Sequence, residues 1–259
     1  MNKKLLIAIL AVVAAIVFSL MFIYYDATFL AQYDYKVSYL SLSHPDTRSG
    51  GLRILYLTDL EYGTYTDETH LEKIKKTVDV LDYDVVIFGG DVFDEDYTPE
   101  SDDIGILTGF FKSLKGADGK FAIYGDYDLI SEGRKNITAK ILSDSGFEII
   151  DDRIKVYLTS SRFINIYGCS HNGRIESPQD SDHLNITVIH DLSMKDQFPE
   201  SALILCGNSH NRQLNWPLSA GYRLGYHASD RLYYSSGLGM TKTAHRLFCD
   251  PEIVIITLN

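Results

Sequence analysis

Leu52-Arg53-Ile54-Leu55-Tyr56-Leu57-Thr58-Asp59-Leu60-Glu61 and, further on, Asp84-Val85-Val86-Ile87-Phe88-Gly89-Gly90-Asp91-Val92-Phe93-Asp94 decide how this chain folds. Each is a short β-rich apolar run that ends in an acidic turn. Between them Leu71, Ile74, Val78 and Leu81 recur at helical spacing on one face. Strand, helix and strand in this order make a βαβ unit, whose strands lie parallel and whose carboxyl ends open on one edge of the sheet. Asp59, Glu61 and Asp91 therefore meet at that edge, where open α/β sheets bind ligands. Clustered carboxylates repel one another unless a cation neutralises them. A single acid after a strand is ordinary turn or capping chemistry, but two acid-bearing turns in one βαβ unit favour a site.

Towards the amino terminus, Leu5 to Tyr25 is almost uninterruptedly apolar, which is the roughly 20-residue length that crosses a bilayer as a helix. Lys3 and Lys4 precede it, Asp26 and Asp34 follow, and no small-residue cleavage pattern succeeds it. This reads as an uncleaved, single-pass anchor in the cell membrane with a cytoplasmic amino terminus and an extracytoplasmic domain. No other apolar run approaches spanning length, so the remainder is expected to be soluble without the anchor. The chain divides into an anchor over 1–26, a linker with a first strand over 27–51, and a domain over 52–259. The alternation in Asp34 to Leu40 supplies that strand.

Towards the carboxyl terminus an acidic loop from Glu95 to Asp103 leads into a helix carrying Ile104, Leu107, Phe110, Phe111 and Leu114. Phe121 to Tyr124 is a strand ending at Gly125-Asp126-Tyr127-Asp128, a third acid-bearing turn. A helix over Ile137 to Ser145 follows. The short runs Phe147 to Ile150, Lys155 to Leu158 and Phe163 to Gly168 then predict a second, more antiparallel sheet. Asn185 to Ile189 and Ala202 to Cys206 are buried strands ending at His190 and at Gly207-Asn208-Ser209-His210. Arg231 to Ser235 and Glu252 to Leu258 close the chain. The 259 residues, 45% apolar, can build a substantial core, while a net charge of −11 excludes a nucleic-acid partner. Three cysteines have neither the pairing nor the spacing of a disulfide framework or a zinc site. His70 and His171 lie in polar stretches that read as exposed, and Arg246 in a turn that reads as solvated.

The strand-end residues, in order, resemble the calcineurin-like metallophosphoesterases. The family pattern runs D-x-H, G-D-x-x-D, G-N-H-D, a lone His after a strand, and G-H-x-H. Here the text is Asp59-Leu60-Glu61, Gly90-Asp91-Val92-Phe93-Asp94, Gly125-Asp126-Tyr127-Asp128, Ile189-His190, and Gly207-Asn208-Ser209-His210. The resemblance covers Leu52 to Asn259. Its end, Ser236-Gly237-Leu238-Gly239 and then Arg246 and Pro251-Glu252-Ile253, is similar to a membrane-anchored bacterial branch of that family.

The resemblance implies a four-layer α/β/β/α sandwich behind the transmembrane helix and a site for two divalent metals. One metal would be held by Asp59, Glu61, Asp91 and His210. The other would be held by Asp91, Asp126, His190 and Asn208, with Asp91, Tyr127 and Asp128 at the catalytic positions. Glu61, Asp126, Tyr127 and Asn208 stand where the family has His, Asn, His and His. Each altered metal ligand still offers oxygen, which favours Mn²⁺, Mg²⁺ or Ca²⁺ over Zn²⁺. Tyr127, with an ordinary pKa near 10, replaces the family's proton donor, a loss that typically costs about 10²–10⁴-fold. Four carboxylates crowded without metal also predict that Asp91→Asn stabilises the metal-free protein. The expected function is membrane-tethered, metal-dependent hydrolysis of a phosphodiester or lipid-linked phosphate. The alternative is a catalytically inactive member that binds metal, ligand or partner, or serves only as a structural module.

Overall fold

The computed structural model describes residues 2–43, 51–151, 153–159, 162–170, 184–209, 213 and 222–259, with the backbone alone for 153–159, 162 and 163. Helix α1, Lys3–Tyr25, carries no buried residue. It runs on through a π turn, Asp26–Leu30, and a 3-10 turn, Ala31–Tyr33, before strand β1, Lys36–Leu42. The strand expected over Asp34 to Leu40 thus forms two residues later, and the linker before it is helical. Ala27 and Ala31, four residues apart on one helical face, are small enough to bury against the domain, and Tyr35 buries after them.

Two six-stranded sheets form the body. The first contains β1, β2 (Leu52–Leu57), β3 (Val85–Phe88), β4 (Gly119–Ala122), β5 (Glu148–Ile149) and β12 (Glu252–Leu258), in the order β1-β12-β2-β3-β4-β5. Its strands β2 to β5 are parallel, and β12 runs antiparallel to β2. The helices α2 (Glu68–Val78), α3 (Ser101–Ser113) and α4 (Glu132–Asp144) connect these strands. The expected βαβ unit is present, with Leu57 opposite Phe88 at the strand ends. Helix α4 begins five residues earlier than the sequence suggested, because Ser131 caps it by accepting from Arg134 N at 3.1 Å.

Strand β5 corrects the sequence reading, which gave residues 147–150 to the second sheet. It pairs parallel with β4, as a right-handed return from α4 places it. The second sheet holds β6 (Arg153–Thr159), β7 (Arg162–Cys169), β8 (Leu184–Ile189), β9 (Leu203–Cys206), β10 (Gly225–His227) and β11 (Leu232–Tyr234), in the order β10-β11-β9-β8-β7-β6. Among the described residues only the β6–β7 and β10–β11 pairs are antiparallel, so this sheet is more antiparallel than the first and still mostly parallel.

Side-chain alternation explains the layering. On β2, Leu55 and Leu57 face Leu71, Ile74, Leu107, Phe111 and Ile141 of the helices. Ile54 and Tyr56 face the other way, into the seam where Ile87 and Ile123 meet Ile166, Ile186, Val188 and Leu205. Cys169, Ile189, Ile204 and Cys206 on the far face of the second sheet are covered by Met194 and Phe198. Strands buried on both faces read as continuous apolar runs, which is why Val85 to Phe88 showed no alternation. The expected mixed α/β arrangement, with helices on the first sheet and the second sheet packed on its other face, is present. Among the described residues the outer cover of the second sheet is a 3-10 turn, Leu192–Gln197.

Candidate metal centre

The carboxyl ends of β2, β3 and β4 from one sheet and of β8 and β9 from the other converge on one edge. Beyond β2 and β3 the parallel pairing continues through the turns: Asp59 N donates to Gly90 O at 3.0 Å, Glu61 N to Asp91 O at 3.0 Å, and Tyr62 N to Val92 O at 2.9 Å. Asp59, Glu61, Asp91 and Asn208 all have left-handed backbones, with φ of 51°, 48°, 59° and 54°. For non-glycine residues such conformations cost on the order of 1–3 kcal/mol each and concentrate at functional sites. Gly125 permits the turns to close, since a Cβ there would lie 2.1 Å from Asp91 Oδ1.

Asp59, Asp91 and His190 are buried, and each places a ligand atom within 4.8 Å of the other two. His190 Nε2 lies 3.0 Å from Asp91 Oδ2 and 4.0 Å from Asp59 Oδ1. Its Nδ1 is 2.8 Å from Gly89 O and donates to it, which fixes the ring and aims Nε2 at the acids, as metal-ligating histidines are held. Burial acts to lower the His190 pKa, but the Asp91 and Asp59 carboxylates outweigh it and raise it to about 10. Without metal, the imidazolium proton supplies the positive charge this pocket demands. One nitrogen and two carboxylates around a buried point suit a divalent cation.

The other expected residues that lie within the described part of the chain surround this group. Asn208 N donates to both Asp59 oxygens at 3.0 and 3.1 Å, and its Nδ2 donates to Asp126 Oδ2 at 3.1 Å. Glu61 is buried beside Asp59, and its charge reaches the half-buried Tyr127 phenol. Burial first, then Glu95, Glu61 and Asp91, push the Tyr127 pKa upward, so the phenol is neutral and bonded to Glu95. The Tyr127 backbone N donates to Asp91 Oδ1 at 2.8 Å. His210, and likewise His171, lie outside the described residues.

Asp128 accepts from Asp91 N at 2.8 Å, Gly125 N at 2.9 Å, Val92 N at 3.1 Å and Thr138 Oγ1 at 3.1 Å. Burial and the Asp91 charge raise its pKa to about 6 against these donors. It clasps the Asp91 turn to the Gly125 turn. Asp128→Ala leaves several buried donors without an acceptor at about 1–3 kcal/mol each, so urea denaturation of the metal-free protein should show a loss of at least about 3 kcal/mol. A loss below 1 kcal/mol would refute the clasp.

Two residues differ from their sequence reading. His70 is buried rather than exposed: it completes the α2 capping box with Asp67 and stacks on Tyr33, ring centroids 4.5 Å apart. Arg246, read as solvated, is among the largest fully buried side chains. Asp94 and the segment Ser236–Gly239 also border the site. Their only sequence signals were the second Asp of the G-D-x-x-D motif and the glycines at 237 and 239.

No family profile matches the chain. "Uncharacterized metallophosphoesterase YkuE" of Bacillus subtilis is 24% identical over 230 residues, 80% of this chain and 79% of that protein. "UDP-2,3-diacylglucosamine pyrophosphatase LpxG" of Chlamydia muridarum is 29% identical over 142 residues, 54% of this chain and 41% of that protein. "Uncharacterized metallophosphoesterase Cj0846" of Campylobacter jejuni is 25% identical over 80% of this chain and 59% of its own length. Among solved structures, the calcineurin-like phosphoesterase YfkN from Bacillus subtilis overlays with a TM-score of 0.41 at 10% identity, covering 79% of this chain and 80% of its own. A two-sheet α/β fold brings two acids and a histidine together at the shared strand ends, where they could hold a divalent cation. In sequence the chain is similar to proteins described as metallophosphoesterases, at 24–25% identity over 80% of its length.

Proposed function

We propose that this protein is a membrane-tethered, metal-dependent phosphoesterase that hydrolyses a phosphodiester or a lipid-linked phosphate. The observation that carries the reading is the convergence within 4.8 Å of His190 with Asp59 and Asp91, the two acids at left-handed strand-end turns. Asp59, Glu61, Asp91 and His210 would hold one ion and Asp91, Asp126, His190 and Asn208 the other, with Mn²⁺ or another hard ion favoured by the oxygen donors. Bound there, such ions supply Lewis-acid polarisation of the phosphoryl group and a water of lowered pKa. The chain's own residues do the rest. Asp128 keeps the Asp91 turn in register, and the Tyr127 phenol, whose single proton is donated to Glu95, would have to leave that bond to donate towards a leaving group. With its raised pKa Tyr127 is a poor acid, so substrates with good leaving groups react best.

A cleft of about 360 Å³ lined by Glu95, Tyr97, Pro99, Ile130, Arg134 and Ile137 joins this edge through the Glu95–Tyr127 bond and suits the non-reacting part of the substrate. LpxG acts, by its name, on a diacylated sugar nucleotide, which supports a lipid-linked substrate class. The apolar helix has mean hydropathy 3.1 and its continuation packs on the domain, which supports an anchor retained in the working protein. The positive residues before it favour an extracytoplasmic domain.

The test is metal content of the purified protein, followed by hydrolysis of p-nitrophenyl phosphodiesters with added Mn²⁺. Bound metal with metal-dependent turnover supports the enzyme. Bound metal without turnover favours the second reading, a binding protein, to which the replacement of the proton donor by Tyr127 points. Protease added to intact cells should cut the domain, and protection until lysis would reverse the orientation.

A further inference from the structure

We infer that Arg246 is a positioning residue: the loop Ser236–Cys249, pinned by its guanidinium, couples the seat of the juxtamembrane segment to the turn that carries Asp59 and Glu61. The inference builds on the metal site proposed above. Arg246 is 1% exposed, and no carboxylate faces it among its hydrogen-bond partners in the described residues. Its Nη1 donates to Ser236 O at 3.3 Å and Cys249 O at 3.2 Å, and its Nη2 to Gly237 O at 3.4 Å and to Gly239 O. A buried charge is costly to desolvate, and here most of its hydrogen bonds, beside one to Cys249 Sγ and the nearby Asp250 charge, go to carbonyls of the loop lying on the ligand turn.

On the site side, Leu238 N donates to Thr58 O at 3.0 Å and Gly239 N to Asp59 O at 2.7 Å. Contact is close: a Cβ on Gly237, whose φ is 72°, would sit 2.8 Å from Asp59 Cβ, and one on Gly239 would sit 1.9 Å from Leu60 O. Thr241 Oγ1 donates to Asp94 Oδ1 at 2.6 Å, and Met240 N to Thr66 Oγ1 at 2.9 Å. Gln213, three residues beyond the Gly207–His210 motif, accepts from Thr241 N and Leu247 N.

On the anchor side, Arg246 N donates to Ala27 O at 3.0 Å, and His245 meets the Tyr24 ring edge-on at 5.8 Å. Tyr33 stacks on His70 with Lys73 above it, so the segment after α1 is fastened to the domain. The left-handed turn at Asp59–Glu61 is strained, and strained turns persist only where their surroundings over-determine them. The Arg246 loop is that surrounding on one side, and its own footing includes the base of the anchor.

The test uses the full chain in detergent, as wild type, Arg246→Met, Arg246→Lys and Ala27→Leu. Ala27→Leu crowds the seat from the helix side and leaves every site residue in place. Hydrogen exchange of the metal-free proteins over Thr58–Tyr62 is the first readout. Arg246→Met and Ala27→Leu should speed it about tenfold, as expected when a supporting hydrogen-bond network is loosened, with Arg246→Lys intermediate. Mn²⁺ affinity by calorimetry is the second, and should fall about 10–100-fold in Arg246→Met, the usual effect of losing support behind metal ligands. Faster exchange confined to Ser236–Cys249, with the Asp59 turn and Mn²⁺ affinity unchanged, overturns the inference. A response to Arg246→Met without one to Ala27→Leu overturns the coupling to the anchor. Should Arg246→Met fail to fold, Arg246→Lys decides by the same criteria. If wild type binds no Mn²⁺, the proposed function fails, and the exchange arm still decides this inference.

Discussion

Asp91→Asn is expected to abolish the rise in melting temperature that Mn²⁺ gives the wild-type protein. Asp91 is the fully buried carboxylate between His190 and the Tyr127 backbone, and in the site proposed above it would be shared by both ions. At a hundred times the dissociation constant a bound ion adds about 2.7 kcal/mol, all of which the variant should lose. In the metal-free protein the sequence predicted that neutralising Asp91 would stabilise by relieving repulsion. The structure reverses that sign, because Asp91 is paired with His190 at 3.0 Å rather than left among acids alone. Removing one partner of a buried pair costs about 3–5 kcal/mol, at the lower end here because Asp59 remains within 4.0 Å. The His190 pKa is raised to about 10, so its pairing stabilises fully below the unfolded value near 6.5 and is lost as pH rises through about 10. Thermal melts in chelator should therefore show the wild type losing its advantage over Asp91→Asn between those limits. An advantage that grows with pH would contradict the pairing. Metal binding must displace the same proton, so Mn²⁺ affinity should rise with pH across this window.

Glu61→His, Asp126→Asn, Tyr127→His and Asn208→His together should raise phosphodiesterase activity on the order of 10²-fold or more, the range for one recovered general acid. Tyr127→His should account for most of it. The Glu95 and Asp91 charges that push the phenol pKa upward also favour a protonated imidazole, the form needed to donate to a departing oxygen. The gain should be larger for alkyl than for p-nitrophenyl leaving groups, since only the former need the proton. A restored protein that binds Mn²⁺ and shows no gain with either would leave the binding-protein reading standing and remove the enzyme.

Periodicity and punctuation in the chain were enough to determine the βαβ unit. Leu71, Ile74 and Val78 bury on one face of α2, and the runs at 54–57 and 85–88 pair in parallel. The motif order was enough to suggest a resemblance to metallophosphoesterases, which the similarity to curated relatives of that description supports. Local sequence could not determine partners across long separations. Nothing near residue 148 says that β5 joins the first sheet, since that depends on where α4 delivers the chain. Nothing near Arg246 says that it is buried, since most of its side-chain partners are carbonyls of Ser236 to Gly239 and its backbone is held by Ala27, just after α1. The pairing of Asp91 with His190 likewise joins residues 99 positions apart across two sheets, and it alone reversed the sign expected for Asp91→Asn. Strand and helix signals are carried by neighbours in the chain, whereas burial, charge pairing and backbone strain at a site are set by whatever the fold brings beside each residue.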